Sequence, residues 1–136
     1  MTTNDLKPVP TIDPDSAPYW QALQEGRLIL KSCSDCGKSH FYPRELCPHC
    51  HSDQLSWIDA SGAGEVYSYT VCRRPAGPAF AEEVPYVVAI IELDEGPRMM
   101  SRILCEPELV SIGQRVTVRF EHQSDELTLP MFGLIN

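Results

Sequence analysis

The sequence predicts a mainly β protein in which an N-terminal helix and a metal-binding ribbon precede a small five-stranded barrel. Three observations predict this fold class: two neighbouring Cys-x-x-Cys motifs, an amphipathic segment before them, and five short strand patterns after them. With 136 residues the chain has the length of one ordinary domain or two small ones. We predict an extended arm and amphipathic helix at residues 1–26, the ribbon at residues 27–60 and the barrel at residues 61–136.

The first element is a short amphipathic helix that follows a proline-rich arm. Asp15 or Ser16 can cap the helix, Pro18 suits its first turn and Gly26 can end it. Three large apolar residues share one face of this helix, namely Tyr19, Trp20 and Leu23. This face either packs on its own domain or docks on a partner, where buried aromatics often carry much of the binding energy.

The strongest chemical signal is the pair of Cys-x-x-Cys motifs, which predicts the metal ligands Cys33, Cys36, Cys47 and Cys50. Two such motifs with a short spacer can place four thiolates at the corners of a tetrahedron, about 2.3 Å from a zinc ion. The first motif is followed by Gly37, which tolerates the positive φ that the turn under a metal requires. The second is followed by His51, which tolerates that conformation less well.

Ligand type alone does not distinguish zinc from a rubredoxin-like iron site, since both use four thiolates. A disulfide framework would need an oxidising compartment, and the start Met1-Thr2-Thr3-Asn4-Asp5 shows no basic segment followed by an apolar one. A closed set of four thiolates favours one structural zinc per chain and leaves no position for a reactive water. We therefore predict that the metal is not catalytic.

The strand patterns flank the metal motifs and then continue to the end of the chain. Strands are predicted at Arg27–Ser32, Leu55–Ala60, Glu65–Val71, Tyr86–Leu93, Arg98–Leu104, Arg115–Glu121 and Leu127–Leu134. In Glu65–Val71, residues 66, 68 and 70 are predicted to face opposite to residues 67, 69 and 71. Pro130 implies an edge or a bulge in the last strand. The last five strands, with a short helix or turn at Glu108–Ile112, fit an OB-fold barrel.

Charge and composition argue against several classes of function. The formal net charge of −8 opposes nucleic-acid binding, which depends on neutralising phosphates with lysine and arginine. No apolar run approaches the ~20 residues that span a bilayer, so we predict no membrane contact and a cytoplasmic location. No residues form a nucleophile–base set, and we predict no catalytic residue. Cys72 and Cys105 are predicted to be buried, unreactive thiols.

The chain contains several short motifs in the same order in which one protein family carries them. They are Glu25-Gly26-Arg27-Leu28, Cys33-x-x-Cys36-Gly37, Pro43-Arg44, Cys47-Pro48-x-Cys50, Gly62-x-Gly64, Tyr67-Ser68-Tyr69-Thr70, Pro85-Tyr86-Val87-Val88-Ala89, Glu92-Leu93-Asp94-Glu95-Gly96, Ile112-Gly113 and Leu129-Pro130-Met131-Phe132. Through them the chain resembles the acyl-CoA-associated proteins that join an N-terminal rubredoxin-like zinc ribbon to a C-terminal OB-fold. His51 departs from the pattern, since such knuckles usually carry glycine there.

The resemblance implies a non-catalytic accessory subunit in a hetero-oligomeric complex that acts on acyl-CoA. Its partner would be a thiolase-like acyltransferase or, as an alternative, an enoyl-CoA hydratase or aldolase subunit. In an OB-fold, the loop between the first two strands often contacts ligands, and here it spans Cys72–Pro85. Arg73 and Arg74 could meet CoA phosphates and Phe80 could line an acyl channel. Alternatively, this loop is solvated and mobile.

Two other classes of function stay open at this stage. A nucleic-acid-binding module could stack bases on Tyr67, Tyr69 and Tyr86. A small independent enzyme or an electron carrier is the third possibility, and the absence of a paired acid and base counts against the enzyme. Iron in place of zinc would identify the electron carrier.

Overall fold

The computed structural model describes residues 7–135, which form one helix, a three-stranded ribbon sheet and a five-stranded barrel. Residues 1–6 of the predicted arm lie outside the described residues. The elements are α1 (Ala17–Gln24), β1 (Ile29–Cys33), β2 (Ser39–His40), β3 (Leu55–Asp59), β4 (Ala63–Cys72), β5 (Tyr86–Leu93), β6 (Arg98–Ile103), β7 (Arg115–Ser124) and β8 (Leu127–Leu134). None of the helices described between residues 7 and 135 is long and apolar enough to cross a membrane.

The barrel closes in the strand order β4-β5-β6-β8-β7, which confirms the predicted mainly β fold with a C-terminal OB-fold. Neighbouring strands are antiparallel except β6 and β8, which meet in parallel at Ile103 and Phe132. Short 3-10 turns occupy Pro78–Phe80 and Pro107–Leu109. Closure pairs the strand edges with one another, so the barrel needs no further strand to cover them.

A β-bulge in β4 breaks the predicted alternation of this strand. Val66 pairs with Ile91, but the next pair is Ser68 with Ile90, so Tyr67 is the additional residue. Val66 is therefore buried while Ser68 is exposed, although both were predicted on one face. The bulge leaves Tyr67 on the outer surface of the barrel.

The ribbon sheet has the order β2-β1-β3, with the very short strand β2 at its edge. Sequence patterns did not predict β2, because two residues carry no periodicity. The Cys33 N–H donates to the Lys38 carbonyl at 3.0 Å, so Cys33 and Lys38 are a hydrogen-bonded pair of the antiparallel ladder. Hydrogen-bonded and non-hydrogen-bonded pairs alternate along such a ladder. Ser39 lies on the alternate rung opposite Ser32, so its N–H and C=O point away from β1.

One hydrophobic core joins the helix, the ribbon and the barrel. Buried residues of α1, of β1 and of the segment between them belong to the same cluster as barrel residues; examples are Tyr19, Leu23, Leu28, Leu30, Val66, Ile91 and Phe132. Helix α1 contacts both β8 and β1. This shared core extends across the predicted unit boundaries at 26/27 and 60/61. The boundaries therefore stay a prediction.

The joint between the ribbon and the barrel is short and hydrogen-bonded on both sides. The Ala60 N–H donates to the Leu28 carbonyl at 2.8 Å, and the Val118 N–H donates to the Gly62 carbonyl at 2.8 Å. Gly62 has a φ of +85°, and a Cβ there would lie 2.4 Å from a methyl carbon of Val118. Glycine is therefore required at this position both by conformation and by space.

Candidate metal centre and ligand cleft

The two Cys-x-x-Cys turns bring four sulfur atoms to within 4.8 Å of one another. The Sγ atoms of Cys33 and Cys50 are 3.6 Å apart, and those of Cys36 and Cys47 are 3.7 Å apart. A tetrahedral zinc site with bonds of about 2.3 Å requires sulfur separations of about 3.8 Å. The four cysteines are thus positioned to bind one metal ion, as predicted.

The two knuckles have matching backbone geometry. In the first, the Gly37 N–H donates to the Cys33 carbonyl at 2.9 Å; in the second, the His51 N–H donates to the Cys47 carbonyl at 2.8 Å. Gly37 has a φ of +77° and His51 a φ of +68°. His51 adopts the left-handed conformation that the second knuckle requires, at the energetic cost that glycine avoids.

Main-chain N–H groups, burial and neighbouring thiols shift the pKa values of Cys33 and Cys50 in opposite directions. The N–H of Cys36 lowers the pKa of Cys33 most, burial opposes it, and the N–H of Asp35 assists, so that the pKa falls to about 7. For Cys50, the N–H of Ser52 lowers the pKa, but burial and three adjacent thiols raise it to about 12. Four adjacent thiols cannot all ionise without a cation, so a bound metal must displace protons here.

The chemistry available to this centre is structural. Four thiolates complete a tetrahedron and leave no ligand position for water or substrate. Cys33 and Cys47 are buried, while Cys36 and Cys50 are exposed. The ion would hold the ribbon together where the small three-stranded sheet has little core of its own.

The structure packs the apolar face of α1 on its own domain. Tyr19 is 1% exposed, Trp20 9% and Leu23 0%. The Trp20 indole N–H donates to the Tyr42 hydroxyl at 2.9 Å, and the Tyr19 ring packs edge-on against the rings of Trp20, Phe41 and Tyr42. Of the two alternatives for this face, packing on its own domain is the one observed, so the apolar area expected to be free for a partner is not free.

The loop at Cys72–Pro85 is anchored to the barrel at several points. Glu83 forms an ion pair with Arg102 at 2.6 Å and another with Lys7. The Phe80 ring lies 6.3 Å from that of Tyr86, and the neighbouring Ala79 is buried. Arg73 and Arg74 are exposed at the end of β4 and pair with no carboxylate among residues 7–135.

The two remaining cysteines are partly buried rather than fully buried as predicted. Burial, assisted by Glu106 and Glu108, raises the pKa of Cys105 and disfavours its thiolate. Elsewhere the buried Thr128 hydroxyl lies 2.6 Å from Nδ1 of His122 and also contacts Gln24. These three side chains connect α1 to the β7–β8 hairpin.

Sequence reasoning missed a cleft of about 580 Å³ between the ribbon and the barrel. Its ribbon side is the segment 37–41, and its barrel side includes Glu92, Glu95 and Arg98. His40 is 3% exposed, and neither of its ring nitrogens has a hydrogen-bond partner among the described residues; the same holds for Oε1 of Glu95. No sequence signal marked this cleft, because it arises only when the two modules pack together.

Comparison with known families matches both modules. Residues 20–56 match the rubredoxin-like zinc ribbon domain of ChsH2, and residues 57–121 match the C-terminal OB-fold domain of ChsH2. A rubredoxin-like zinc ribbon with four suitably placed cysteines confirms the prediction of one zinc ion per chain.

Similar proteins include two curated relatives and one solved structure. The chain is 39% identical to a probable enoyl-CoA hydratase alpha subunit of Thermomonospora curvata, over 93% of this chain but only 40% of that protein's length. It is 39% identical to a DUF35 domain-containing scaffold protein of Methanocaldococcus jannaschii, over 79% of this chain and 77% of that protein. A solved chain of an Ltp2–ChsH2(DUF35) aldolase matches with a TM-score of 0.82 and 38% identity, over 93% of this chain and 98% of that chain.

Proposed function

The chain belongs to the DUF35 family of zinc-ribbon and OB-fold proteins, and on that basis we propose that it is a non-catalytic accessory subunit of an acyl-CoA-processing enzyme complex. The observation that carries this proposal is the likeness to the aldolase chain, which extends over 98% of that chain. A likeness of this extent supports a whole-subunit role similar to that chain's role in its complex.

The absence of a complete catalytic set among residues 7–135 supports the accessory role. The thiolates of the metal centre are all used as ligands, and the partly buried Cys105 has a raised pKa. Thr128 and His122 are in contact, but Thr128 is buried and also contacts Gln24. Acyl transfer requires an exposed nucleophile, a base and an oxyanion hole. We propose that the partner supplies all three.

For the partner, we propose a thiolase-like enzyme that forms or breaks carbon–carbon bonds in CoA thioesters. The aldolase likeness supports carbon–carbon chemistry. An enoyl-CoA hydratase partner is the second candidate, supported by the relative from Thermomonospora curvata. The chain spans only 40% of that relative's length, so the hydratase name belongs to a much longer protein.

For acyl-CoA itself, we propose contact through the loop after β4. Arg73 and Arg74 are adjacent and exposed, and an arginine pair suits phosphate groups. Phe80, in the same loop, is half-buried and could border the acyl chain. The anchoring of this loop through Glu83 and Arg102 supports a preformed contact surface rather than a mobile one.

Co-purification tests the proposal. The tagged chain is expressed in its native host, and its stoichiometric partners are identified and assayed for thiolase, aldolase and hydratase activity, with and without this chain. We expect one such enzyme, whose activity depends on the pair and is absent from the lone chain. A chain that binds single-stranded DNA at moderate salt and recovers no acyl-CoA enzyme would contradict the proposal.

A further inference from the structure

The cleft between the ribbon and the barrel has main-chain and side-chain groups that lack partners among the described residues. On the ribbon side, β2 is an edge strand, and the N–H and C=O of Ser39 point outward from it. No residue between 7 and 135 pairs with these two groups. A free strand edge is a template for a further extended segment.

Two buried polar side chains of the cleft also have atoms without hydrogen-bond partners among the described residues. One oxygen of the Glu95 carboxylate accepts the Ser61 N–H at 2.9 Å, while the other is buried without a donor. Both ring nitrogens of His40 are buried and unpaired. Leaving such groups unpaired costs about 1–3 kcal/mol each. The carboxylate oxygen needs a donor, and a neutral imidazole needs one donor and one acceptor, both of which a peptide unit carries.

Arg98 gives the cleft a fixed cation. Its Nε donates to Glu92 at 2.9 Å, and its guanidinium carbon lies 3.7 Å from the centre of the Tyr67 ring, which the bulge in β4 places there. Its two terminal nitrogens pair with no carboxylate of the described residues. A guanidinium held in this way is prepared to bind a carboxylate through two hydrogen bonds. Lys38 adds a second cation from the ribbon side.

We propose that this cleft receives an extended segment of the partner enzyme subunit that carries one acidic side chain, an inference that rests on the proposed function. The main chain of the segment adds to the free edge of β2 at Ser39 and provides an N–H to Glu95. An acidic side chain of the segment meets Arg98 and Lys38.

A peptide fits this cleft better than a phosphate-bearing ligand does. Glu92 and Glu95 line the cleft together with the two cations, and they would repel a group of several negative charges. A phosphate also lacks the N–H donor that Glu95 requires, whereas every non-proline peptide unit carries one. The volume of about 580 Å³ lies within the range of about 300–1,000 Å³ typical of ligand clefts.

The test measures binding of the co-purified enzyme subunit to the zinc-loaded full chain and its variants. Arg98→Met should weaken binding at least about 30-fold, as at an interface hot spot. Ser39→Pro, which removes an outward-pointing N–H, should weaken it about tenfold. The matched control is Arg115→Met, because Arg115 is also half exposed and paired with a carboxylate, that of Asp94. The control should bind within about threefold of wild type.

Two further readouts keep the test decisive. Thermal melting of each lone variant shows whether a binding loss reflects misfolding, and Ser39 amide exchange should slow in the complex. If the complex forms but Arg98→Met and Ser39→Pro bind like wild type, the cleft inference is wrong while the proposed function stands. If no acyl-CoA enzyme binds the wild-type chain, the proposed function itself fails. Protection of the cleft by free CoA, and not by the enzyme subunit, would also overturn the inference.

Discussion

Among single residues, His51 holds a left-handed backbone where its counterpart in the first knuckle is Gly37. We expect His51→Gly to stabilise the zinc-loaded ribbon by about 0.5–1 kcal/mol. Relief of the left-handed strain is worth about 1–2 kcal/mol and the added freedom of glycine in the unfolded chain costs about 0.5–1 kcal/mol. Thermal melting in the presence of zinc measures this.

The reciprocal control is Gly37→Ala. A Cβ at this position meets nothing within 4 Å, so the change tests backbone strain alone. We expect a loss of about 1 kcal/mol. If His51→Gly instead lowers the melting temperature, the imidazole contributes an interaction that outweighs the strain.

The pKa values of Cys33 and Cys50 predict how zinc binding depends on pH. The pKa of Cys50, at about 12 without metal, means that this thiol enters the site by losing a proton, while the pKa of Cys33 is about 7. Protons therefore compete with zinc, and binding weakens as the pH falls. Because more than one proton is displaced, apparent affinity should fall more than tenfold per pH unit between pH 8 and pH 6, measured by competition with a zinc chelator. An affinity independent of pH would show that the thiols are already ionised without metal.

At the scale of elements, α1 stabilises the chain from inside its core. Leu23→Ala should lower the free energy of unfolding of the lone chain by about 2–5 kcal/mol, since Leu23 is 0% exposed. The same substitution at Leu46, which is 53% exposed, should change it by less than about 0.5 kcal/mol. Denaturant unfolding measures both.

The double change Tyr19→Ala and Trp20→Ala distinguishes core packing from docking. Given the burial of both side chains, we expect a sharp fall in melting temperature. A lone chain that melts normally but no longer binds its enzyme partner would show that the helix turns these aromatics outward for docking.

Sequence patterns located the elements best where their chemistry or periodicity is local. The cysteine spacing predicted the metal ligands, and Tyr86–Leu93 and Leu127–Leu134 were predicted with the bounds observed. The bulge after Val66 was missed, because an inserted residue leaves an alternating sequence unchanged while it shifts the pairing. The cleft at His40 and Glu95 was missed because residues far apart in sequence form it.

For the whole molecule, the shared core links the metal to the fold without making the barrel depend on it. Cys47→Ser should abolish tight zinc binding and expose the ribbon amides to exchange, since three ligands remain. The barrel amides should stay protected, because the strands from β4 to β8 close on themselves. Global stability should nevertheless fall, since Leu28 and the β1 residues Ile29 and Leu30 belong to the common core. Hydrogen exchange read by NMR, with Cys105→Ser as the control, separates these effects; loss of protection throughout the barrel would contradict the prediction.

The hydrogen-bonded joint at Gly62 also determines how the protein tumbles in solution. With Ala60 bonded to Leu28 and Gly62 bonded to Val118, no flexible segment separates the ribbon from the barrel. The two modules should tumble in solution as a single body, with one rotational correlation time and one alignment tensor for both sets of amides. Gly62→Ala, which forces a Cβ against Val118, should strain the joint and lower the melting temperature, while the shared core keeps a single correlation time. In the wild-type protein, the rigid joint fixes the angle between the two modules. An enzyme bound to one module would therefore have a fixed orientation relative to the other module.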